Sequence, residues 1–301
     1  MMNGLPSHAV IRSAIQRISV SGSHASLDVL SVEEPLEIRL EYGPANQRVI
    51  KSISVTMRTP GNDQELALGF LYTEGMISSA AAVKKVYAVK DSCSIGKENI
   101  ICVALIEGVE PNLAQAERNF YTTSSCGVCG KASIASIRTK QPAPLESRVP
   151  INLDCEILYG LPEKLRLAQH SFDATGGIHA AGLFTLAGEL VMLREDVGRH
   201  NALDKLIGSS LSSAIPDLNK HILLLSGRAS FELIQKAAMA GISIVAAIGA
   251  PSSLAVELAT ESKMTLLGFL KENRFNIYIS NVNIIIPQSH ENKTKGQFHQ
   301  I

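Results

Sequence analysis

The 301-residue sequence contains no tryptophan, and aromatic residues make up only 5% of it. Small aliphatic side chains must therefore fill the interior, which favours an α/β protein with helices packed on a buried sheet. Formal net charge is zero, from 28 basic and 28 acidic residues, and no basic block is present. This balance argues against nucleic acid as the main partner and leaves room only for a local basic cleft.

The sequence also shows no stretch typical of a secretory signal or of a membrane-spanning segment. Residues 1–26 lack an uninterrupted apolar stretch and carry Arg12 and Arg17. The longest apolar run, 242–250, is too short to cross a bilayer. The five cysteines are odd in number and lack framework spacing, which indicates reduced thiols. We therefore expect a soluble, cytoplasmic protein.

Two regions differ in their hydrophobic pattern. Residues 1–125 hold β-branched or alternating stretches around a single helix, which predicts an N-terminal α+β domain. That helix is expected to begin after Asn62, with Glu65 three residues on, and to stop at Gly75. The expected strands are 10–19, 36–42, 49–58, 83–89 and 100–105.

Residues 126–301 are predicted to form a second domain, which begins with a Cys-x-x-Cys loop. Its strands and helices alternate after a hairpin around Gly188, and this repetition is typical of a largely parallel sheet covered on both faces. The expected helices are 199–207, 230–240 and 253–261, and the expected strands are 178–184, 190–193, 222–225, 242–247, 265–270 and 275–279.

The strongest chemical signal is the pair of thiols at Cys126 and Cys129, each followed by a glycine. Glycine lets the backbone take unusual dihedral angles and lets a partner approach closely, and the small neighbours predict a mobile loop. Lys131 and the start of a helix expected at 132–137 would favour thiolate over thiol. A thiolate can attack the sulfur of a persulfide or disulfide, and a second thiol in reach can accept or resolve the product.

Three other interpretations of this pair stay open. A structural zinc site needs four ligands, but Cys93, Cys102 and Cys155 are isolated. A thioredoxin-like dithiol belongs directly after the first strand of a βαβ unit, whereas this pair follows several strand-like segments. Inert packing is common for free cysteines, although glycine and serine neighbours make a poor core. The motif alone favours sulfur transfer without excluding these alternatives.

Two later segments have the form of strand, glycine turn and helix start. Ser226–Ser230 follows one expected strand and 249–253 follows the next. Backbone N–H groups, Ser226, Ser230 and Arg228 would suit a phosphate, and loops of this kind share the ligand-binding carboxyl edge of a parallel sheet. Any tight strand-to-helix turn uses glycine and serine, so a purely structural interpretation is equally open.

A third segment, 195–201, combines acidic and basic residues before a helix. Arg199 and His200, with Asp196, could bind a phosphate; equally, Asp196 could cap the helix while His200 is an interior residue. His179 stands where zinc deaminases have the histidine of His-x-Glu, but Ala181 replaces the essential acid and no Pro-Cys-x-x-Cys follows. Deaminase chemistry is therefore disfavoured.

Taken together, five stretches resemble the FdhD/NarQ family of formate dehydrogenase accessory sulfurtransferases. They follow the order and spacing of that family and extend over most of the chain. The stretches are Arg58–Leu71, Ser125–Gly130, Thr175–Ala181, Glu195–Lys205 and Ser226–Ser230.

The resemblance implies a cytoplasmic sulfurtransferase that acts through a cysteine persulfide. It would take sulfur from a cysteine desulfurase and pass it to molybdenum (or tungsten) bis(molybdopterin guanine dinucleotide) before this cofactor enters formate dehydrogenase. The cofactor is then a bound substrate, and no permanently bound metal is implied. The implied fold is α/β, with a C-terminal cytidine-deaminase-like α/β/α domain and a smaller N-terminal α+β domain. A homodimer is also implied, and neither a nucleic acid nor a membrane partner is expected.

The site residues follow from matching positions. Cys126 is the expected persulfide carrier, and Cys129 assists it by exchange or by receiving the sulfur. The family's cofactor-binding stretch matches 269–274, and the edge loops would hold the guanine nucleotide ends. A non-catalytic cofactor chaperone and a dithiol oxidoreductase are the rival classes. The expected cofactor-binding residues are His179, Arg199, His200, Ser226, Gly227, Arg228, Ser230, Phe269, Leu270, Lys271, Glu272, Asn273 and Arg274.

Overall fold

The computed structural model describes residues 9–89, 99–113, 150–213, 215 and 217–286. The chain begins with a separate antiparallel hairpin of two strands, β1 (Val10–Ser19) and β2 (Gly22–Ser31). Ser31 Oγ donates a hydrogen bond to Thr175 Oγ1 (2.9 Å), which ties the base of this hairpin to the C-terminal half of the chain.

The N-terminal unit is a four-stranded sheet with one helix packed on it. The strand order is β4-β3-β6-β5, in which β3 and β6 are parallel and the other neighbours are antiparallel. Ile38 and Val103 are fully buried on the face that meets Leu66 and Leu71 of the helix. The elements are β3 (Glu34–Tyr42), β4 (Val49–Arg58), α1 (Asp63–Thr73), β5 (Val83–Ala88) and β6 (Ile100–Leu105).

The C-terminal unit contains a six-stranded mixed sheet in the order β13-β12-β11-β10-β8-β9, and β7 pairs separately with β14. Within the six-stranded sheet, β10 pairs parallel with β11 and β11 with β12, and the other neighbouring pairs are antiparallel. The elements are β7 (Asn152–Asp154), α2 (Cys155–Ala168), α3 (His170–Thr175), β8 (His179–Thr185), β9 (Leu190–Asp196), α4 (Arg199–Ser212), β10 (His221–Leu225), α5 (Phe231–Met239), β11 (Ile244–Ala247), α6 (Ser253–Glu261), β12 (Thr265–Lys271), β13 (Arg274–Ile279) and β14 (Asn283–Ile285).

Helices cover both faces of this six-stranded sheet. Successive residues of a strand point to opposite faces, and β10 shows the result: Leu223 packs with α4, α5 and α6, whereas Leu224 packs with α2. Both leucines are fully buried. The C-terminal unit therefore has three layers, with a hydrophobic core on each side of the sheet.

The two units meet where α1 crosses α4. A Cβ atom on Gly69 would overlap the carbonyl oxygen of Asp204, and a Cβ on Gly208 would overlap that of Glu65, so only glycine fits at the crossing. Tyr72 packs against the cores of both units. The contact is therefore a close approach of two backbones.

The structure confirms the mixed α/β class, the covered sheet faces and the hairpin around Gly188. The expectation of a largely parallel sheet is wrong, because β8 and β13 each pair antiparallel at the flanks of the parallel strands. Helix α2 was not expected, since Gly160 and Pro162 interrupt its pattern. Asn62 stands at the start of α1 but makes no capping hydrogen bond with its side chain. No helix in the described ranges has the length and apolar character to cross a membrane.

Candidate functional site

The carboxyl ends of β10, β11 and β12 are joined through Gly249. Its N–H donates to the carbonyl of Gly227 (3.0 Å), and its carbonyl accepts from the N–H of Phe269 (3.1 Å). A Cβ on Gly249 would lie 3.0 Å from both the backbone nitrogen of Arg228 and the carbonyl oxygen of Gly227, so this packing favours glycine. The loop Ser226–Ser230 and the start of the 269–274 stretch thus lie side by side. We call this region the carboxyl edge.

Ser226 fastens the first edge loop to β8. Its Oγ accepts from the N–H of Ala180 (2.8 Å), and its own N–H donates to the carbonyl of Ala180 (3.0 Å). This places half-buried His179 against Gly227, where a Cβ would lie 3.4 Å from the imidazole Nδ1. The hydroxyl hydrogen of Ser226 remains as its donor to a ligand.

Two helices begin at the carboxyl edge, and basic side chains lie near their first turns. His200, in the first turn of α4, lies 3.4 Å from Ser230 Oγ at the start of α5, and 3.8 Å from Glu232 Oε2. Arg199 Nε is buried and finds no hydrogen-bond partner among the residues that the structure describes. Arg228 is exposed. Helix N-termini and guanidinium groups together suit an anion such as a phosphate.

The local charges shift two pKa values at this edge. Burial lowers the pKa of His179, and electrostatic interactions with Arg199 and His200 lower it further against the effect of Asp196. These effects favour the neutral imidazole, which donates from one ring nitrogen and accepts at the other. Burial would raise the pKa of Glu232, but interactions with His200, its own backbone N–H and Ser230 outweigh burial and lower it to about 2.

Asp196 is committed to structural contacts. Its side chain is fully buried, Oδ1 accepts from the N–H of Gly198 (2.8 Å), and Oδ2 lies 2.7 Å from Lys205 Nζ. Asp196 was expected either to help bind a phosphate or to cap α4, but the N-cap is Gly198 and the carboxylate of Asp196 holds the turn before the helix instead. Neither Lys205 nor its neighbour Thr59 was singled out from the sequence, although both lie in the stretches that resemble the family.

The 269–274 stretch divides between the core and the surface. Phe269 is 41% exposed and Leu270 is fully buried, so the Leu270 side chain packs in the core beneath α2. The remaining residues are exposed and form the turn between β12 and β13, where Lys271 pairs with Arg274. Phe269 is the member of this stretch whose backbone is hydrogen-bonded to the edge loops.

Cys126, Cys129 and the loop around them lie outside the described residues. Cys102 and Cys155 are described, and both are free and buried. Within the described ranges, no group of three His, Cys, Asp or Glu residues is placed to hold a metal ion. Ala181, at the position of the deaminase acid, is fully buried in the core.

Comparison with known proteins gives one consistent family. The model of the FdhD/NarQ family matches residues 31–285. A protein of Streptomyces avermitilis named sulfur carrier protein FdhD is 48% identical over 269 residues, which are 89% of this chain and 93% of that protein. A protein of the same name from Picrophilus torridus is 43% identical over 251 residues, 83% of this chain and 90% of its own. A solved structure from Desulfotalea psychrophila, assigned as a formate dehydrogenase accessory protein, has a TM-score of 0.68 at 23% identity and covers 92% of this chain and 100% of its own.

Proposed function

We propose, from the premise that this chain belongs to the FdhD/NarQ family, that it is a sulfur carrier for the maturation of formate dehydrogenase. Relatives of 43% and 48% identity carry the name sulfur carrier protein. The donor is a cysteine desulfurase. The acceptor is the molybdenum or tungsten bis(molybdopterin guanine dinucleotide) cofactor, a substrate that leaves for formate dehydrogenase once it has received sulfur.

The sulfur chemistry belongs to the cysteine pair. The Cys126 thiolate attacks the terminal sulfur of the donor persulfide, the sulfur–sulfur bond of the donor breaks, and the donor cysteine leaves as a thiolate. Cys126 then carries the persulfide. Release of its terminal sulfur as sulfide requires two electrons, which Cys129 supplies when its thiolate attacks the inner sulfur and forms a disulfide with Cys126.

The observation that supports cofactor binding is the cationic carboxyl edge. Two helix N-termini, the exposed Arg228 and the buried Nε of Arg199, which has no partner within the described ranges, lie at this edge. The guanine nucleotide ends of the cofactor carry diphosphate groups, which match this donor set. The backbone of Phe269 is hydrogen-bonded to this edge, and we propose that its partly exposed ring stacks on the guanine base.

The architecture proposed for this function is that of the family. The C-terminal domain, residues 126–301, is cytidine-deaminase-like and the N-terminal domain comprises residues 1–125. The protein is a cytoplasmic homodimer, so that each of the two nucleotide ends of the cofactor meets one carboxyl edge.

The first prediction tests the sulfur carrier directly. After incubation with a cysteine desulfurase and cysteine, mass spectrometry should find one extra sulfur atom on Cys126. Cys126→Ala should lose this sulfur and fail to mature formate dehydrogenase while it still binds guanine nucleotide, because transfer needs the thiolate and binding does not. Cys155→Ala, which removes a buried thiol from α2, is the control and should still be loaded at Cys126. Normal maturation by Cys126→Ala would favour the cofactor chaperone instead.

The second prediction tests the binding edge. Calorimetry should show that guanosine diphosphate binds without added metal and binds more tightly than adenosine diphosphate. Arg199→Met should weaken this binding about tenfold or more, because it removes a buried charged donor. Arg166→Met is the matched control, since Arg166 pairs with Asp173 on the surface, and it should bind as the wild type does. Equal affinity for both nucleotides would contradict the placement.

A further inference from the structure

Thr59 connects the N-terminal unit to the turn between β9 and α4. Its N–H donates to Asp196 Oδ2 (3.1 Å), its Oγ1 accepts from the N–H of Val197 (3.1 Å), and its carbonyl accepts from Lys205 Nζ (2.8 Å). The residue is 3% exposed. The N–H and Oγ1 of Thr59 thus bind the turn between β9 and α4, and its carbonyl binds Lys205 farther along α4.

The contacts behind Thr59 are also buried and polar. Asp196 and Lys205 form an ion pair with side chains 0% and 2% exposed. Asn201 Nδ2 donates to the carbonyl of Met57 (2.7 Å), and Thr56 Oγ1 donates to Asn201 Oδ1 (3.2 Å). Apolar residues often replace buried ion pairs without loss of stability, so stability alone gives little reason for this arrangement. Polar contacts have directions, and here they fix an orientation.

These polar contacts fix the orientation of the first turn of α4. Gly198 stands at the N-cap and has no side chain with which to cap the helix, so Asp196 and Thr59 hold the turn from outside it. Arg199 and His200 come directly after this turn, and both belong to the carboxyl edge.

We propose that Thr59 is a positioning residue for the ligand site. Through the β9–α4 turn it holds Arg199 and His200 where they meet the anionic groups of the ligand. The site at the carboxyl edge of the C-terminal unit therefore depends on a residue of the N-terminal unit that touches no ligand. This inference rests on the proposed binding of nucleotide phosphates at that edge.

The contact between the two units also offers a matched control. Thr73 is also in the N-terminal unit, is 1% exposed, and uses its hydroxyl group to donate to Asp204 Oδ1 (2.8 Å) and to accept from Lys236 Nζ (3.0 Å). Its hydrogen bonds thus join the two units without touching the β9–α4 turn. A purely structural role predicts that Thr59 and Thr73 behave alike, whereas a positioning role predicts that they differ.

The experiment compares four variants of the full chain by calorimetry with guanosine diphosphate and with inorganic pyrophosphate, and by thermal unfolding. Thr59→Val keeps the shape of the side chain but removes the hydroxyl group. It should weaken the binding of both ligands about tenfold. Thr59→Ser keeps the hydroxyl and should restore wild-type affinity. Thr73→Val should lower the melting temperature and leave both affinities unchanged. If Thr59→Val does not fold, Thr56→Val, which removes one half-buried bond to Asn201, should weaken both ligands about threefold.

Each other outcome overturns the proposal. Wild-type affinity in a folded Thr59→Val or Thr56→Val variant would leave Thr59 a purely structural residue. If Thr59→Val and Thr73→Val weaken ligand binding equally, the whole contact between the two units has loosened and the β9–α4 turn has no special role. If the wild type binds neither guanosine diphosphate nor pyrophosphate, the anion site itself is refuted and the positioning role falls with it.

Discussion

At the scale of the residue, Phe269 has the most unusual backbone at the site. Its φ is 53°, in the left-handed region that non-glycine residues rarely adopt, and the residue is 41% exposed. This conformation costs about 1–2 kcal/mol relative to the right-handed regions. Such strain persists where the surrounding structure enforces it, and it concentrates at functional sites.

The third prediction follows from that strain. Phe269→Gly should raise the free energy of unfolding by about 0.5–1 kcal/mol, because glycine adopts positive φ freely. The same variant should weaken guanosine diphosphate several-fold without changing pyrophosphate, because it removes only the stacking ring. The control is Lys263→Gly. Lys263 has the same φ of 53° but is exposed after α6, so this change should stabilise the protein without altering its affinity for either ligand. Unchanged nucleotide affinity in Phe269→Gly would show that the Phe269 ring takes no part in nucleotide binding.

Residue roles were the least predictable part of the site. The pattern of strand, glycine turn and helix indicated Ser226–Ser230 as an edge loop, and the structure places it there. The role of Asp196 stayed open, because the sequence does not show that Lys205 and Thr59 reach it across the unit boundary. Leu270 was expected among ligand residues, but the alternation of a strand around a bulge turns its side chain into the core.

At the scale of the element, helix and strand positions were largely predictable and strand directions were not. The expected helix at 253–261 and strand at 49–58 coincide with α6 and β4, because apolar periodicity sets them locally. The direction in which β8 joins β10 depends on contacts that the local pattern does not contain. In α2, burial of Leu158, Leu161 and Leu165 against the sheet outweighs the helix-breaking tendency of Pro162.

The fourth prediction concerns the crossing of α1 and α4. Gly208→Ala should lower the free energy of unfolding by about 3 kcal/mol or more, because its Cβ would overlap the carbonyl oxygen of Glu65 and the helices would have to separate. Gly160→Ala is the matched helical control. A Cβ there meets no atom within 4 Å, so this change should stabilise by about 0.5–1 kcal/mol. Urea unfolding measures both, and a neutral Gly208→Ala would show that the crossing can open at little cost.

At the scale of the whole molecule, buried charges join the two units. Lys236 lies 3.0 Å from Asp204 Oδ2 and 3.1 Å from Glu74 Oε1, with its side chain 7% exposed. Burial raises the pKa of Asp204, against the lowering effect of Lys236. Separation of the units would take Glu74 away from Lys236 and Thr73 away from Asp204. Breaking a buried pair by removal of one partner costs about 3–5 kcal/mol.

The fifth prediction is that the two units unfold together. Calorimetry should give one transition in which the calorimetric and van't Hoff enthalpies agree, as in cooperative two-state unfolding. Residues 150–301 expressed alone should lack a cooperative transition, since they would lack α1 and its contacts with α4. Two resolved transitions in the full chain would show instead that the units are thermodynamically independent.

The glycine crossing also sets the order in which the chain can assemble. A ribosome completes α1 long before α4 emerges, so the crossing is a late, non-local contact. Cys126 and Cys129 lie between these two helices in the sequence and are synthesised before the crossing can form. Cys126 and Cys129 are thus synthesised before the carboxyl edge, which is proposed to bind the cofactor, has folded. During that interval, thiols with the reactivity proposed for this pair would need a reducing environment to stay free of disulfides.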